Sequence, residues 1–260
     1  TNGIDNPELY FQTKLYTGDG NSTQAITLDG DENMQPDWIW IKNRTDGHYH
    51  NLNDSVRGVG ATKVLRSNTN GAEGGTSGHV SVIGSDGFTV AAGTSDSEEV
   101  NTSSDNYVAW NWKAGTTGSG TTTGSGTGKA YSYSVSTAAG FSIIKWVGNG
   151  TEGHTIPHHL GATPQMLIIK NLSGTTSWVV YHHKNTSAPE TDILRLDTDA
   201  ATADDASMFA DTAPNSTVFT LGSTSSCNLN DSNYICYAFK NIQGYSKFGG
   251  YTGNGSASDG

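Results

Sequence analysis

Short apolar runs, each closed by charge and a turn former, recur along this chain, and apolar spacing of three and four is nowhere sustained for three helical turns. The clearest run is Pro36-Asp37-Trp38-Ile39-Trp40-Ile41-Lys42-Asn43, which returns as Pro164-Gln165-Met166-Leu167-Ile168-Ile169-Lys170-Asn171. Such a run, rich in β-branched and aromatic residues, is too short for a buried helix and predicts a strand buried on both faces. Its neighbours repeat as well. Lys63-Val64-Leu65-Arg66 matches Ile193-Leu194-Arg195, Ser85-Asp86-Gly87-Phe88-Thr89-Val90 matches Ser216-Thr217-Val218-Phe219-Thr220-Leu221, and Asn106-Tyr107-Val108-Ala109-Trp110-Asn111-Trp112 matches Asn233-Tyr234-Ile235-Cys236-Tyr237-Ala238-Phe239. The offset stays nearly constant, so a whole all-β unit is duplicated.

In the last of these strands Val108, Trp110 and Trp112 share one face, while the other carries the small Ala109 and Asn111. Ile235, Tyr237 and Phe239 stand against Cys236 and Ala238 in the same way. This fits a sheet packed on a second sheet, its outer face half exposed or covered closely by a neighbour. The first strand runs from Phe11 into Tyr16-Thr17-Gly18-Asp19-Gly20, a tight turn that needs positive φ. That signal recurs from Phe141 to Gly150 and again from Phe248 to Gly255, so residues 245–260 either begin a third repeat or close the second unit. Ala200 to Phe209 reads as one short helix. The Gly/Ser/Thr tract from Gly115 to Gly128 reads as a flexible linker. The expectation is an all-β chain of two tandem jelly-roll β-sandwich domains, residues 11–114 and 139–244, joined by a Gly/Ser/Thr-rich linker at 115–138, after an N-terminal segment 1–10 and with under ~10% helix.

Composition narrows the function. The 33 glycines, 33% hydrophobic and 15% charged residues suit a turn-rich β protein, and 6 Trp, 11 Tyr and 7 Phe exclude a disordered one. A net charge of −11 without a basic stripe argues against nucleic acid and against an anionic membrane surface. No apolar run approaches the ~20 residues of a membrane span, and no secretion signal is read at the N-terminus. Cys227 and Cys236 could bridge by spacing, but Ala109 holds the place of Cys236 in the first copy, so two buried free thiols are expected. Gly124-Ser125-Gly126-Thr127-Gly128-Lys129-Ala130 departs from a phosphate-binding loop at its first glycine and at Ala130, which excludes a nucleotide site.

Two groups of residues could carry chemistry. His48-Tyr49-His50 has the His-x-His spacing that suits a transition metal, but it lies in a Gly- and Asp-rich loop and reads as surface. Asp29-Gly30-Asp31-Glu32-Asn33 offers the oxygens that calcium takes without the twelve-residue spacing of a helix-loop-helix site; it reads as a solvated turn, with calcium the minor alternative. No resident cofactor or metal is expected. There is no Gly-x-Ser-x-Gly elbow and no metalloprotease His-Glu pair, so the expectation is a protein without enzymatic activity. Recognition on a rigid sandwich falls to loops, where aromatic and imidazole faces meet the apolar side of a sugar and Arg meets its hydroxyls. The expected ligand contacts are His48, Tyr49, His50 and Arg57 in the first repeat and His182 and His183 in the second, the two groups read as corresponding loops after the signature strand.

Taken in order, Tyr16-Thr17-Gly18-Asp19-Gly20, Gln35-Pro36-Asp37-Trp38-Ile39-Trp40-Ile41-Lys42-Asn43-Arg44, Asp54-Ser55-Val56-Arg57-Gly58, Ser85-Asp86-Gly87-Phe88-Thr89-Val90 and Tyr107-Val108-Ala109-Trp110-Asn111-Trp112-Lys113 resemble the repeat domains of tail-fibre and other virion-surface proteins of marine bacteriophages, cyanophages among them. The resemblance spans nearly the whole chain. It implies concanavalin-like lectin sandwiches on the virion surface, a role in host adsorption through a cell-surface glycan or receptor, other virion or fibre proteins as partners, and a homo-oligomer. In trimeric phage fibres a His-x-His pair can hold one iron, which the resemblance implies for His48 and His50 alone. A purely structural virion subunit and a tailspike-like glycan depolymerase are the alternatives.

Overall fold

The computed structural model describes residues 4–255; of the terminal segments set apart above, residues 1–3 and 256–260 lie outside the described residues. Strand accounts for 38% and helix for 4%, as the short apolar runs require. The first half contains β1 (Phe11–Thr17), β2 (Thr23–Thr27), β3 (Trp38–Asn43), β4 (Asn51–Asp54), β5 (His79–Gly84), β6 (Gly87–Ala91) and β7 (Asn106–Trp112). They form two antiparallel sheets, ordered β1-β7-β3-β4 and β2-β6-β5. Then come β8 (Thr116–Thr121), β9 (Thr123–Gly124), β10 (Ala130–Ser136), β11 (Phe141–Val147), β12 (His154–Pro157), β13 (Met166–Asn171), β14 (Val179–His182), β15 (Asp192–Arg195), β16 (Ala203–Asp204), β17 (Val218–Leu221) and β18 (Asn233–Phe239). The large sheet of this half contains β11-β18-β13-β14 and the small one β12-β17, so the duplicated sequence is also a duplicated topology.

The repeated polar residues hold the turns of each copy. At the end of β3 the Asn43 carboxamide oxygen accepts from Thr45 N and Asp46 N, while its nitrogen donates to Glu98 O. Asn171 does the same with Ser173 N, Gly174 N and Ser225 O. Lys42 and Lys170 each cap a carbonyl of the adjoining turn, at Asp46 and Gly174. The repeated turn after the first strand is fixed by close approach: a Cβ on Gly18 would lie 2.1 Å from Thr102 O, and one on Gly148 2.3 Å from Leu229 O. Lys-Asn and Thr/Val-Gly are therefore scaffold signals in both copies.

Each half packs its own core with its smaller faces. Ala109 joins Ile39, Ile41, Val80, Phe88 and Val90 in the first, and Cys236 and Ala238 join Ile144, Leu167, Phe219 and Leu221 in the second. The faces with the large side chains turn outward and meet each other. A third cluster places Trp38, Leu52 and Leu65 of the first half against Phe141, Ile143, Trp178, Ile235 and Tyr237 of the second. Trp38 stacks on Tyr237 with ring centroids 4.2 Å apart, and Trp178 Nε1 donates to Arg66 O at 2.9 Å. Burying each such ring is worth about 1.5–3 kcal/mol. The neighbour that covers the outer face is the chain's other half.

The linker and the short helix are corrected here. Residues 115–138, read as a flexible linker, are ordered sheet: β8 forms the edge of the large sheet beside β10, and β9 pairs with β12. Gly118 and Gly120 lie opposite Tyr133 and Tyr131, and a Cβ at either glycine would stand within 2.6 or 2.9 Å of the tyrosine ring. The glycines thus make room for two aromatic rings. The helix is only α1 (Ala206–Phe209), because Ala203–Asp204 just before it pairs in the sheet as β16 and Asp205 caps the turn. In the closing segment 245–260 no strand forms among the described residues, which run to 255. After a turn bridged between Ile242 and Ser246, Tyr245 packs on Tyr10 at 6.5 Å and Phe248 on Phe239 at 5.6 Å.

Candidate functional site

Where the two outward faces diverge they leave a cleft of about 320 Å³. Its walls are aromatic: Phe11, Trp40 and Trp112 come from the first half and Phe141, Phe239 and Phe248 from the second, with Met166 and Ile168 between them. Alternation along the strands explains this set, since Trp38, Trp40, Trp112, Met166, Ile168 and Phe239 all lie on the faces turned away from the two sandwich cores. Trp38 forms the buried floor and Trp40, Trp112, Met166 and Phe239 are half-buried, so the rings line the cleft without filling it. Phe11 lies 4.9 Å from Trp112, and Phe141 4.9 Å from Phe239. Tyr245 and Ser246 of the terminal strap close one side. The strap itself carries polar groups: Asn241 and Lys247 are exposed, and Asn241 N donates at 2.5 Å to Oε1 of half-buried Gln165, which precedes Met166 in the chain.

Only part of the expected ligand set adjoins this cleft. Trp40 Nε1 donates to His50 Nδ1 at 2.7 Å. Burial, then the Lys42 charge, pushes the His50 imidazole below its ordinary value and keeps it neutral, which leaves that nitrogen free to accept. His50 is thus a positioning group for a cleft wall. His183 Nε2 lies 2.9 Å from Phe248 O and ties down the strap, and the His182 ring stands 5.4 Å from that of His183. Burial, then His183, lowers the His182 pKa.

His48 and Tyr49 face elsewhere, onto a hollow of about 270 Å³ shared with Gly47, Ser77, Glu98 and Glu99. Tyr49 is 51% exposed, with the Arg66 guanidinium 5.3 Å from its ring centre. Arg57 is a correction. Its side chain is fully buried against Asp54, with Glu73 at 3.4 Å and the Tyr237 hydroxyl at 3.5 Å, so it is spent on joining the halves and has no face for a ligand.

The matching of loops is also corrected. Ile41 pairs with Asn51 and Ile169 with Val179, so His50 is equivalent to Trp178, while His182, opposite Met166, is equivalent to Asp54, opposite Trp38. The two histidine groups therefore stand at opposite ends of equivalent strands. Asp29 of the acidic turn is ion-paired with Lys14 at 3.0 Å. Sequence reasoning missed the cleft because its walls come from both copies, although the outward alternation of Trp38, Trp40 and Trp112 was visible.

These features define a class: an all-β protein of stacked antiparallel sheets with an aromatic cleft between two topologically equivalent halves. Residues 6–260 match the model of the family described as Domain of unknown function (DUF7483), and the chain belongs to that family. No curated protein and no solved structure matches it.

Proposed function

We propose that the protein is a non-enzymatic binding protein of a phage virion surface or tail fibre, and that its aromatic cleft takes the ring faces of host surface glycans. The observation that carries this reading is the half-buried set of Trp40, Trp112 and Phe239 around one cavity, closed on one side by a strap that the Gln165–Asn241 hydrogen bond holds. A sugar ring presents an apolar face to an aromatic ring and hydroxyls to flanking amides, and a cavity of this volume accepts one such ring. The sequence resemblance supplies the setting: the virion, a homo-oligomer, and neighbouring fibre proteins.

The test is binding of the purified chain to host cells and to their surface polysaccharide, read by tryptophan fluorescence and calorimetry. Substituting Trp40→Ala or Trp112→Ala should weaken binding about tenfold each, the ~1.4 kcal/mol of one lost aromatic contact. Undiminished binding by a folded double variant removes the cleft from the interaction. No cell binding at all favours a structural subunit whose cleft is covered by another virion protein. Shortening of the polysaccharide, abolished by an Asp or Glu substitution, favours a depolymerase.

A further inference from the structure

The tip of the first half carries a second cluster that the cleft does not use. One carboxylate oxygen each of Asp46 and Asp105 and one ring nitrogen of His48 lie within 4.8 Å of one another. Glu98 Oε2 stands outside this group of three, 3.2 Å from His48 Nδ1, on an exposed side chain that can move to supply a fourth donor. We propose that Asp46, His48, Asp105 and Glu98 bind one divalent transition-metal ion of the zinc or manganese class.

The first argument is charge. Asp105 is only 9% exposed, and among the described residues its carboxylate accepts a single hydrogen bond, from Asn43 Nδ2 at 2.8 Å. Among the described residues, no lysine or arginine forms an ion pair with Asp46, Asp105 or Glu98. Of the chain's other buried acids, Asp54 pairs with Arg57 and Glu99 with Arg66 at 2.6 Å, while Asp37 has a donor on each oxygen, Ser55 Oγ and Ala114 N. A buried carboxylate in a protein is paired or holds a metal. Lys42, on the same turn, spends its ammonium on the carbonyls of Asn43 and Asp46.

The second argument is the duplicate copy, which builds the same turn without the donors. Asn171 fixes its turn as Asn43 does, with Gly174 N and Ser225 O in the places of Asp46 N and Glu98 O. Strand pairing carries the match to the rest, placing Thr176 at the position of His48 and Ser232 at that of Asp105. All four donors are thus replaced by neutral residues on an equivalent scaffold. Folding of the turn does not require them.

The third argument is donor chemistry. One imidazole with carboxylates suits zinc or manganese, whereas calcium prefers a shell of oxygens alone. An ion about 2.0–2.2 Å from each donor would draw the donors in by roughly 1–1.5 Å. Asp46 and Glu98 are exposed and free to make that movement.

The full chain, stripped of metal with EDTA and dialysed, is titrated calorimetrically with zinc chloride, manganese chloride and calcium chloride, and manganese uptake is followed by loss of the free-ion electron paramagnetic resonance signal. One zinc or manganese ion per chain is expected. His48→Ala and Asp46→Asn should each weaken it by at least about tenfold, while His182→Ala with His183→Ala should leave it unchanged. Equal melting temperatures of these variants and the parent in EDTA establish that they fold. No saturable zinc or manganese uptake up to about 1 mM, or uptake retained by the folded His48→Ala variant, would overturn the assignment.

Discussion

Arg57 offers the sharpest test of how the halves are joined, because its partners come from both copies. Its guanidinium meets the Asp54 carboxylate and donates to the Lys63 and Leu52 carbonyls within the first half, and the Tyr237 hydroxyl of the second donates to Asp54 Oδ2 at 2.7 Å. Burial, then the Asp54 charge, holds the Tyr237 hydroxyl well above its ordinary pKa, so it remains a donor throughout the neutral range. Arg57→Leu would leave the fully buried Asp54 carboxylate with one hydroxyl and the main-chain N–H groups of Val56 and Arg57 as its remaining donors. Stranding a buried partner in this way costs about 3–5 kcal/mol. Tyr237→Phe removes one hydrogen bond to a charged group but keeps the ion pair, a loss of about 1.5–3 kcal/mol. Because both changes act on the same carboxylate, the double variant should fall short of the sum by at least about 1 kcal/mol. Urea unfolding followed by tryptophan fluorescence and circular dichroism measures all three. A loss under about 1 kcal/mol for Arg57→Leu is the range of an exposed ion pair. That outcome would mean a solvated guanidinium and would return Arg57 to the ligand contacts.

Two further outcomes follow from buried titratable groups. Burial pushes the Cys227 thiol up to about 12 and raises Cys236 as well, and neither is bridged. The native protein should therefore react with no equivalents of a disulfide reagent and the denatured protein with 2, and a fast-reacting native thiol would contradict this packing. Burial also lowers Lys170 from 10.5 to about 8. A base with a depressed native pKa loses its proton first in the folded state, so its contribution is level below pH 8 and rises toward 10.5. Lys170→Met should remove that rise from the difference in melting temperature against the parent, and an unchanged pH profile would count against a buried ammonium.

The strands were legible because side-chain alternation is a local property. The run Trp38-Ile39-Trp40-Ile41 marked a strand and its two faces without knowledge of any partner. What each face met was not legible. Tyr237 and Asp54 are 183 positions apart, and no periodicity announces that a tryptophan face in one copy will close on a tyrosine face in the other. The same limit misplaced Arg57, whose residue type suits a ligand as well as a buried carboxylate. The glycine tract failed for a different reason: it has no apolar pattern of its own, and its order comes from Tyr131 and Tyr133 on the next strand. His48 was noticed for its spacing to His50, yet those two point to different places, and the partners that matter, Asp105 and Glu98, arrive from a loop far along the chain.

The meeting of the two large-residue faces has a consequence for how such chains diversify. A single copy cut free would present Trp38, Trp112 and Leu52, or Phe141, Ile143 and Tyr237, directly to water as a broad apolar sheet. Such a surface drives aggregation. The piece that recombination can move between genes without loss of solubility is therefore the pair. A duplication that began as a doubling of one module has made its product indivisible.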